Sequence, residues 1–164
     1  MPVQYQPDAL GNTQRPGLVT FLGILSFINT GGFLLLYGFA WWGMSALSSV
    51  PYEEFAAKVE EAMEPMRQSV PEEKYAQIDT IMPIMYNTGA LLCALLFLRT
   101  LVRLVGTIGI WRAKRGGFFI YAVAQIGGIF LPMVLQAWSM VGVFGLFMSV
   151  AMTAAFGSQL KRLN

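Results

Sequence analysis

The sequence predicts an all-α integral membrane protein: a four-helix bundle with a helical extracytoplasmic insertion between its first and second spans. Three observations predict it. Four long apolar runs, at about residues 17–47, 81–111, 117–137 and 139–158, each meet the roughly 20 residues that an α-helix needs to cross a hydrocarbon core ~30 Å thick. The chain has 164 residues, of which 55% are hydrophobic and 12% charged; a soluble domain of that size cannot hide four such runs in one core. The runs are also solid apolar blocks, whereas a membrane β-barrel shows weak alternation over short strands. A single membrane domain over 17–164 accounts for the length.

The elements follow in order. Residues 1–16 are polar, with Pro and Gly, and read as a cytoplasmic tail, disordered or loosely docked. No basic cluster opens the tail and the first apolar run is too long for a secretory signal, so that run is expected to stay as a span. Between the first two runs, SVPYEEFA at 49–56 is echoed by SVPEEKYA at 69–76. Each reads as a helix start, with Pro in the first turn and glutamates near the positive end of the dipole. Ser69 and Glu72 have capping-box spacing. Tyr52, Phe55, Val59, Met63, Met66 and Val70 recur at helical spacing. The expectation is an amphipathic helix of about 16–18 residues, bent near Pro65, and then a shorter second helix. The first two runs, about 46 Å long as straight helices, exceed the hydrocarbon core. Their outer ends are expected to protrude and to carry the 48–80 helices as a small cap.

Charge sets the orientation. Arg15 precedes the first run, Arg112, Lys114 and Arg115 separate the second from the third, and Lys161 and Arg162 follow the fourth. With four spans all six share one side. Residues 48–80 hold eight acids against Lys58, Arg67 and Lys74, a net charge of −5. The positive-inside rule therefore places both termini in the cytoplasm and 48–80 outside. Trp41, Trp42 and Trp138 near outer ends, and Trp111 at an inner end, fit interfacial belts.

Several chemistries are excluded by what is missing. No histidine is present, which removes bis-histidine haem, histidine zinc sites and Ser/His or Cys/His catalysis. Cys93 is the one cysteine, so neither an internal disulfide nor a CxxC redox pair exists. No phosphate-binding or dinucleotide loop occurs, and no carboxylate pair lies within an apolar run. Glu53/Glu54, Glu60/Glu61 and Glu72/Glu73 have the spacing of a solvated helix face. The basic RAKR at 112–115 reads as a topology signal and a contact for anionic lipid headgroups; nucleic acid would demand far more basic surface. The ten methionines read as packing, and Ala151/Ala155 as a small-xxx-small pair. No cofactor is expected, and no enzymatic activity.

Arg99 and Arg103 are the polar feature that asks for an explanation. Four residues apart, they share a helix face inside the second run. Pairing the second and third spans about residues 115–116 sets Arg103 opposite Gly128 and Arg99 opposite Pro132, well inside the slab. An arginine at mid-depth costs at least ~2.5 kcal/mol. No Asp or Glu lies in any run, so Asn29, Thr30, Gln125, Ser149 and Thr153 are the intramembrane polar partners, with Gly31, Gly32, Gly127 and Gly128 allowing close approach or exposed carbonyls. Three readings stand open: snorkelling to the cytoplasmic headgroups, a partner's acid or a lipid phosphate, or a wet pocket for an anionic ligand.

RPGLVTFLGIL entering the first run and GIWRAKRGGFFIYAVAQ across the second hairpin resemble a loose set of small, uncharacterised bacterial inner-membrane proteins with four spans. The resemblance implies the same topology and brings no functional residues. The absence of paired outer cysteines separates the chain from claudin-like tetraspans. The expected function is a non-catalytic membrane subunit that scaffolds or stabilises a larger complex, with other membrane subunits and anionic lipids as partners. The alternative is a small transporter or an anion- or lipid-binding protein. Candidate partner- or lipid-binding residues are Arg99, Arg103, Asn29, Gln125, Arg112, Lys114 and Arg115.

Overall fold

A computed structural model describes residues 3–66, 72–134 and 143–164. The described residues are all-α, with no strand: α1 (Gly17–Leu47), α2 (Tyr52–Met63), α3 (Glu72–Trp111), α4 (Arg115–Val134) and α5 (Val143–Gly157), plus 3-10 turns at Glu64–Met66 and Leu160–Arg162. Two helices, Gly17–Leu47 and the Ile81–Trp111 stretch of α3, are long and apolar enough to cross a membrane; Arg115–Leu131 is apolar but shorter. The predicted runs at 117–137 and 139–158 meet α4 and α5, with residues 135–142 and Trp138 outside the described residues.

The chain divides into two compact units, Met1–Leu36 with Leu96–Asn164, and Tyr37–Leu95. In the second unit, Ser48 and Ser49 terminate α1 by turning their hydroxyls back onto the carbonyls of Ser45 (3.1 Å) and Ala46 (2.6 Å) in its last turn. Pro51 then starts α2, with Glu53 and Glu54 in its first turn. Phe55, 2% exposed, packs on Tyr86 at 5.1 Å between ring centres, and Tyr52 meets the same ring edge-on at 5.3 Å. Tyr86 Oη donates to Val50 O at 2.8 Å, so one side chain of α3 holds both the α1–α2 connection and α2.

Two expectations for this segment are corrected. The amphipathic helix is 12 residues, ending at Met63, where Pro65 forces the tighter turn at Glu64–Met66. The second, shorter helix is not a separate element: α3 runs unbroken for 40 residues from Glu72, with Pro83 inside it. Its four-residue back-bonds from Asn87 Nδ2 to Pro83 O (2.8 Å) and Thr88 Oγ1 to Ile84 O (2.7 Å) brace the turn after the proline. The capping pair beginning at Ser69 lies outside the described residues.

In the first unit, α3 and α4 form a hairpin. The N–H of Lys114 bonds Gly109 O and that of Ala113 bonds Ile110 O, both at 2.9 Å, which is the Schellman arrangement. Ala113 takes the left-handed position at φ 60°, where glycine is usual, and is buried in the same cluster as Leu163, Ile110 and Tyr121. This turn reverses the chain around Ala113, and Arg115–Gly117 already belong to α4. Gly109 therefore faces Gly117, and Gly106 faces the Tyr121 backbone, where an added Cβ would lie 2.6 Å from Gly117 Cα and 2.5 Å from Tyr121 N. The turn lies about two residues earlier than expected, so each residue of α3 meets a residue of α4 about four positions, one helical turn, nearer the hairpin.

The core of this unit sits at the end where hairpin and termini meet. Tyr5, Val19, Leu22, Ile110, Ala113, Tyr121, Phe156 and Leu163 form one buried cluster. The N-terminal segment, expected to be disordered or loosely docked, is held here. Tyr5, 2% exposed, puts its hydroxyl 3.0 Å from Ile110 O and 3.1 Å from Trp111 O. Gln6 N donates to Arg162 O at 2.8 Å, and Asn164 Nδ2 to Gln4 O at 2.7 Å. Asp8 accepts from the N–H groups of Leu10 and Asn12, both at 2.9 Å, and pairs with Arg162 at 3.0 Å. These bonds, the Asn12 N–H first, hold its carboxyl below the usual carboxylate range. The carbonyls freed by the end of α3 account for the docking: Tyr5 and Arg15 cover them.

Candidate functional site

The site is a polar network on otherwise apolar helices. On α3, Arg99, Arg103 and Thr107 follow one another at four-residue spacing and share a face. Asn29, Thr30 and Ser26 come from α1, Gln125 from α4 and Ser149 from α5. Arg103 lies about 12 Å along α3 from Trp111, and Gln125 about 15 Å along α4 from Arg115.

Arg99 lies across the backbone of α4. Its Nε donates to Ala124 O at 2.9 Å and its Nη2 to Gln125 O at 3.1 Å. A carbonyl has two lone pairs, so each can hold a helical N–H and an arginine donor together. Gly128 makes this possible: a Cβ there would overlap Cδ, Nε and Cζ of Arg99. Arg103 bonds side chains instead, with Nη2 at 2.6 Å from Asn29 Oδ1 and 3.0 Å from Thr30 Oγ1, and Nη1 at 3.3 Å from Gln125 Oε1. Gln125 Nε2 donates onward to Ser149 Oγ at 3.2 Å. A second tie joins Ser26 Oγ and Thr107 Oγ1 at 3.1 Å, with Thr107 also donating to Arg103 O at 3.0 Å.

Four sequence-chosen residues, Arg99, Arg103, Asn29 and Gln125, thus come together. Their register differs from expectation: Arg99 meets Gly128 rather than Pro132, and Arg103 meets Gln125 rather than Gly128, because the Schellman turn moves the hairpin centre to Ala113. Of the four glycines singled out, Gly128 makes room for an arginine, whereas Gly31, Gly32 and Gly127 have open space where a Cβ would go. Ser26, Thr107, Gly106, Gly109 and Gly117 were missed. Their signals were legible: Ser26 and Thr30, like Arg103 and Thr107, are four apart, and glycines stand on both sides of the turn, Gly106 and Gly109 before it and Gly117 after it.

Arg112, Lys114 and Arg115 lie elsewhere, at the hairpin end. Arg112 and Lys114 are exposed, while Arg115 Nε donates to Leu163 O at 2.9 Å. Arg15 caps the same end, its guanidinium 3.8 Å from the centre of the Trp111 ring and its Nη2 donating to Trp111 O at 3.3 Å. Among the described residues no group of three His, Cys, Asp or Glu side chains is placed to hold a metal ion.

Chemically, the network offers cationic donors met by neutral acceptors from other helices, an arrangement suited to fastening helices together. Comparison with known proteins gave no match, whether to a protein family, a curated protein or a solved structure.

Proposed function

We propose that the chain is a four-span integral membrane protein of a bacterial inner membrane, with both termini cytoplasmic and residues 48–80 outside. In this reading it is a non-catalytic subunit that scaffolds or stabilises a larger membrane complex. The observation that carries the membrane reading is the exposure of the apolar helices. The most apolar stretches of α1 and α3 are only 28% and 22% buried, and Phe21, Ile28, Leu35, Phe39 and Trp42 of α1 are each at least 65% exposed. The core helix of a water-soluble protein is mostly covered; continuous apolar surface of this extent suits hydrocarbon.

The subunit reading draws support from two features. The polar side chains within the apolar helices bond side chains or backbone carbonyls of other helices, as structural ties do. The exposed glycines Gly31, Gly32 and Gly127 leave places where another helix can approach closely. The alternative, a transporter or anion- and lipid-binding protein built on Arg99, Arg103, Asn29 and Gln125, has less support, since all four are engaged with neighbouring helices.

Purification from native membranes in mild detergent, with mass spectrometry of what co-migrates, tests the proposal. A stoichiometric membrane-protein partner is expected. A partner-free monomer with full activity in the cell would overturn the subunit reading.

A further inference from the structure

Six cations gather at the hairpin end, and the fold separates them into two groups. Arg15 stacks on Trp111 and bonds its carbonyl. Arg115 bonds Leu163 O. Arg162 pairs with Asp8 and also donates to Asn12 O at 2.9 Å and Gln14 O at 3.1 Å. These three fasten termini and hairpin to each other. Arg112, Lys114 and Lys161 are exposed, and none makes a side-chain hydrogen bond or ion pair among the described residues. They sit close in the fold, because Asn164 N bonds Ala113 O at 2.6 Å and Arg115 N bonds Asn164 O at 2.8 Å, joining the turn that carries Arg112 and Lys114 to the turn that carries Lys161. Asp8, the acid at this end, is taken up by Arg162.

We infer that Arg112, Lys114 and Lys161 form a docking surface for the phosphate headgroups of anionic phospholipids in the surrounding bilayer, while Arg15, Arg115 and Arg162 are structural. This rests on the membrane reading above. Charge complementarity and position together favour this occupant. Three outward cations, in a unit whose one Asp or Glu, Asp8, is paired with Arg162, lie where two apolar helices end, and that is the depth at which a bilayer presents its phosphates. Each such cation favours an anionic over a neutral headgroup about fivefold, and three together on the order of a hundredfold, declining as salt screens them.

The test compares retention of phosphatidylglycerol and phosphatidylcholine by the full chain, using native mass spectrometry of protein released from mixed vesicles. Preference for phosphatidylglycerol is expected, lost in Arg112→Gln/Lys114→Gln/Lys161→Gln at unchanged Tm. The charge-keeping Arg112→Lys/Lys114→Arg/Lys161→Arg variant should retain it. Arg162→Gln should lower Tm and keep the preference. Equal retention of both lipids by the natural chain, or a preference that survives the triple Gln change, would overturn the inference. So would displacement of the lipid by inorganic phosphate, which would assign the patch to a soluble anion. Alkaline carbonate extraction keeps the two readings apart. Release of the chain from membranes overturns the membrane reading itself; a retained chain without lipid preference overturns this inference alone.

Discussion

Gly128→Ala should destabilise the protein although alanine is the better helix former. Replacing glycine inside a helix is worth about 1 kcal/mol in favour of Ala. Against that, the new Cβ would occupy the space of Arg99 Cδ, Nε and Cζ, so the guanidinium must leave Ala124 O and Gln125 O. Hydrogen bonds between apolar helices are worth about 1–2 kcal/mol each in membrane peptides, so losing both costs about 2–4 kcal/mol. The net expectation is a loss of about 1–3 kcal/mol, or roughly 2–12 °C in Tm for a chain of this size. Gly127→Ala is the internal control: it lies one residue away, with nothing near its Cβ, and should be neutral or stabilising by up to about 1 kcal/mol. The assay is thermal unfolding in one detergent, followed by tryptophan fluorescence. Repeating the Gly128 change in an Arg99→Leu background should remove most of its cost, because the two residues then no longer compete for the same space. A Gly128→Ala protein at or above wild-type stability, or an equal cost with and without Arg99, would refute the reasoning.

Gly23→Ala should cost about 1–3 kcal/mol in the same assay, since its Cβ would fall 2.6 Å from Cε3 and Cζ3 of Trp111, whereas Gly31→Ala, facing open space, should cost nothing. Tyr5→Phe should lose about 1 kcal/mol, the worth of one buried hydrogen bond, and should increase proteolysis of the N-terminal segment. Asp8 has its folded pKa depressed below the ordinary 3.8, so its contribution is present above that value and is lost as pH falls through the folded pKa. The Tm gap between wild type and Asp8→Asn should therefore be constant at neutral pH and close in acid below about 4. In a Cys93→Ser background, a membrane-impermeant maleimide should label Lys58→Cys from outside intact cells and Lys114→Cys only after permeabilisation; the reverse pattern would invert the proposed topology.

The long apolar elements were legible because their signal is local: length and composition mark α1 and α3 without reference to anything else. The polar cluster was legible in its members but not in its register. Arg99, Arg103, Asn29 and Gln125 stand out as polar residues in apolar runs, yet their pairing depends on where the hairpin turns. A centre drawn at residues 115–116 sets the turn against Gly116 and Gly117. In the fold they begin α4, and Ala113 takes the left-handed position that composition would assign to glycine. The docking of the N-terminal segment was not legible at all. Nothing around Tyr5 signals burial; its partners are carbonyls about 105 residues away, exposed only because α3 ends there.

Gln125 shows why neutral residues hold this network together. An arginine guanidinium can only donate, so each one needs acceptors. Gln125 supplies two: its backbone O to Arg99 and its side-chain Oε1 to Arg103. Its Nε2 remains to donate to Ser149, carrying the connection on to α5. A leucine at this position would remove both bonds, the one to Arg103 and the one to Ser149. The amide accepts at one atom and donates at the other, and so links an arginine of α3 to a hydroxyl of α5 through α4. Arg99 is equally specific, since its two bonds use the fixed fork of Nε and Nη2 on successive carbonyls, a geometry that the single ammonium of lysine does not reproduce. The hydrogen bonds of these residues are accounted for by their fastening of one helix to the next.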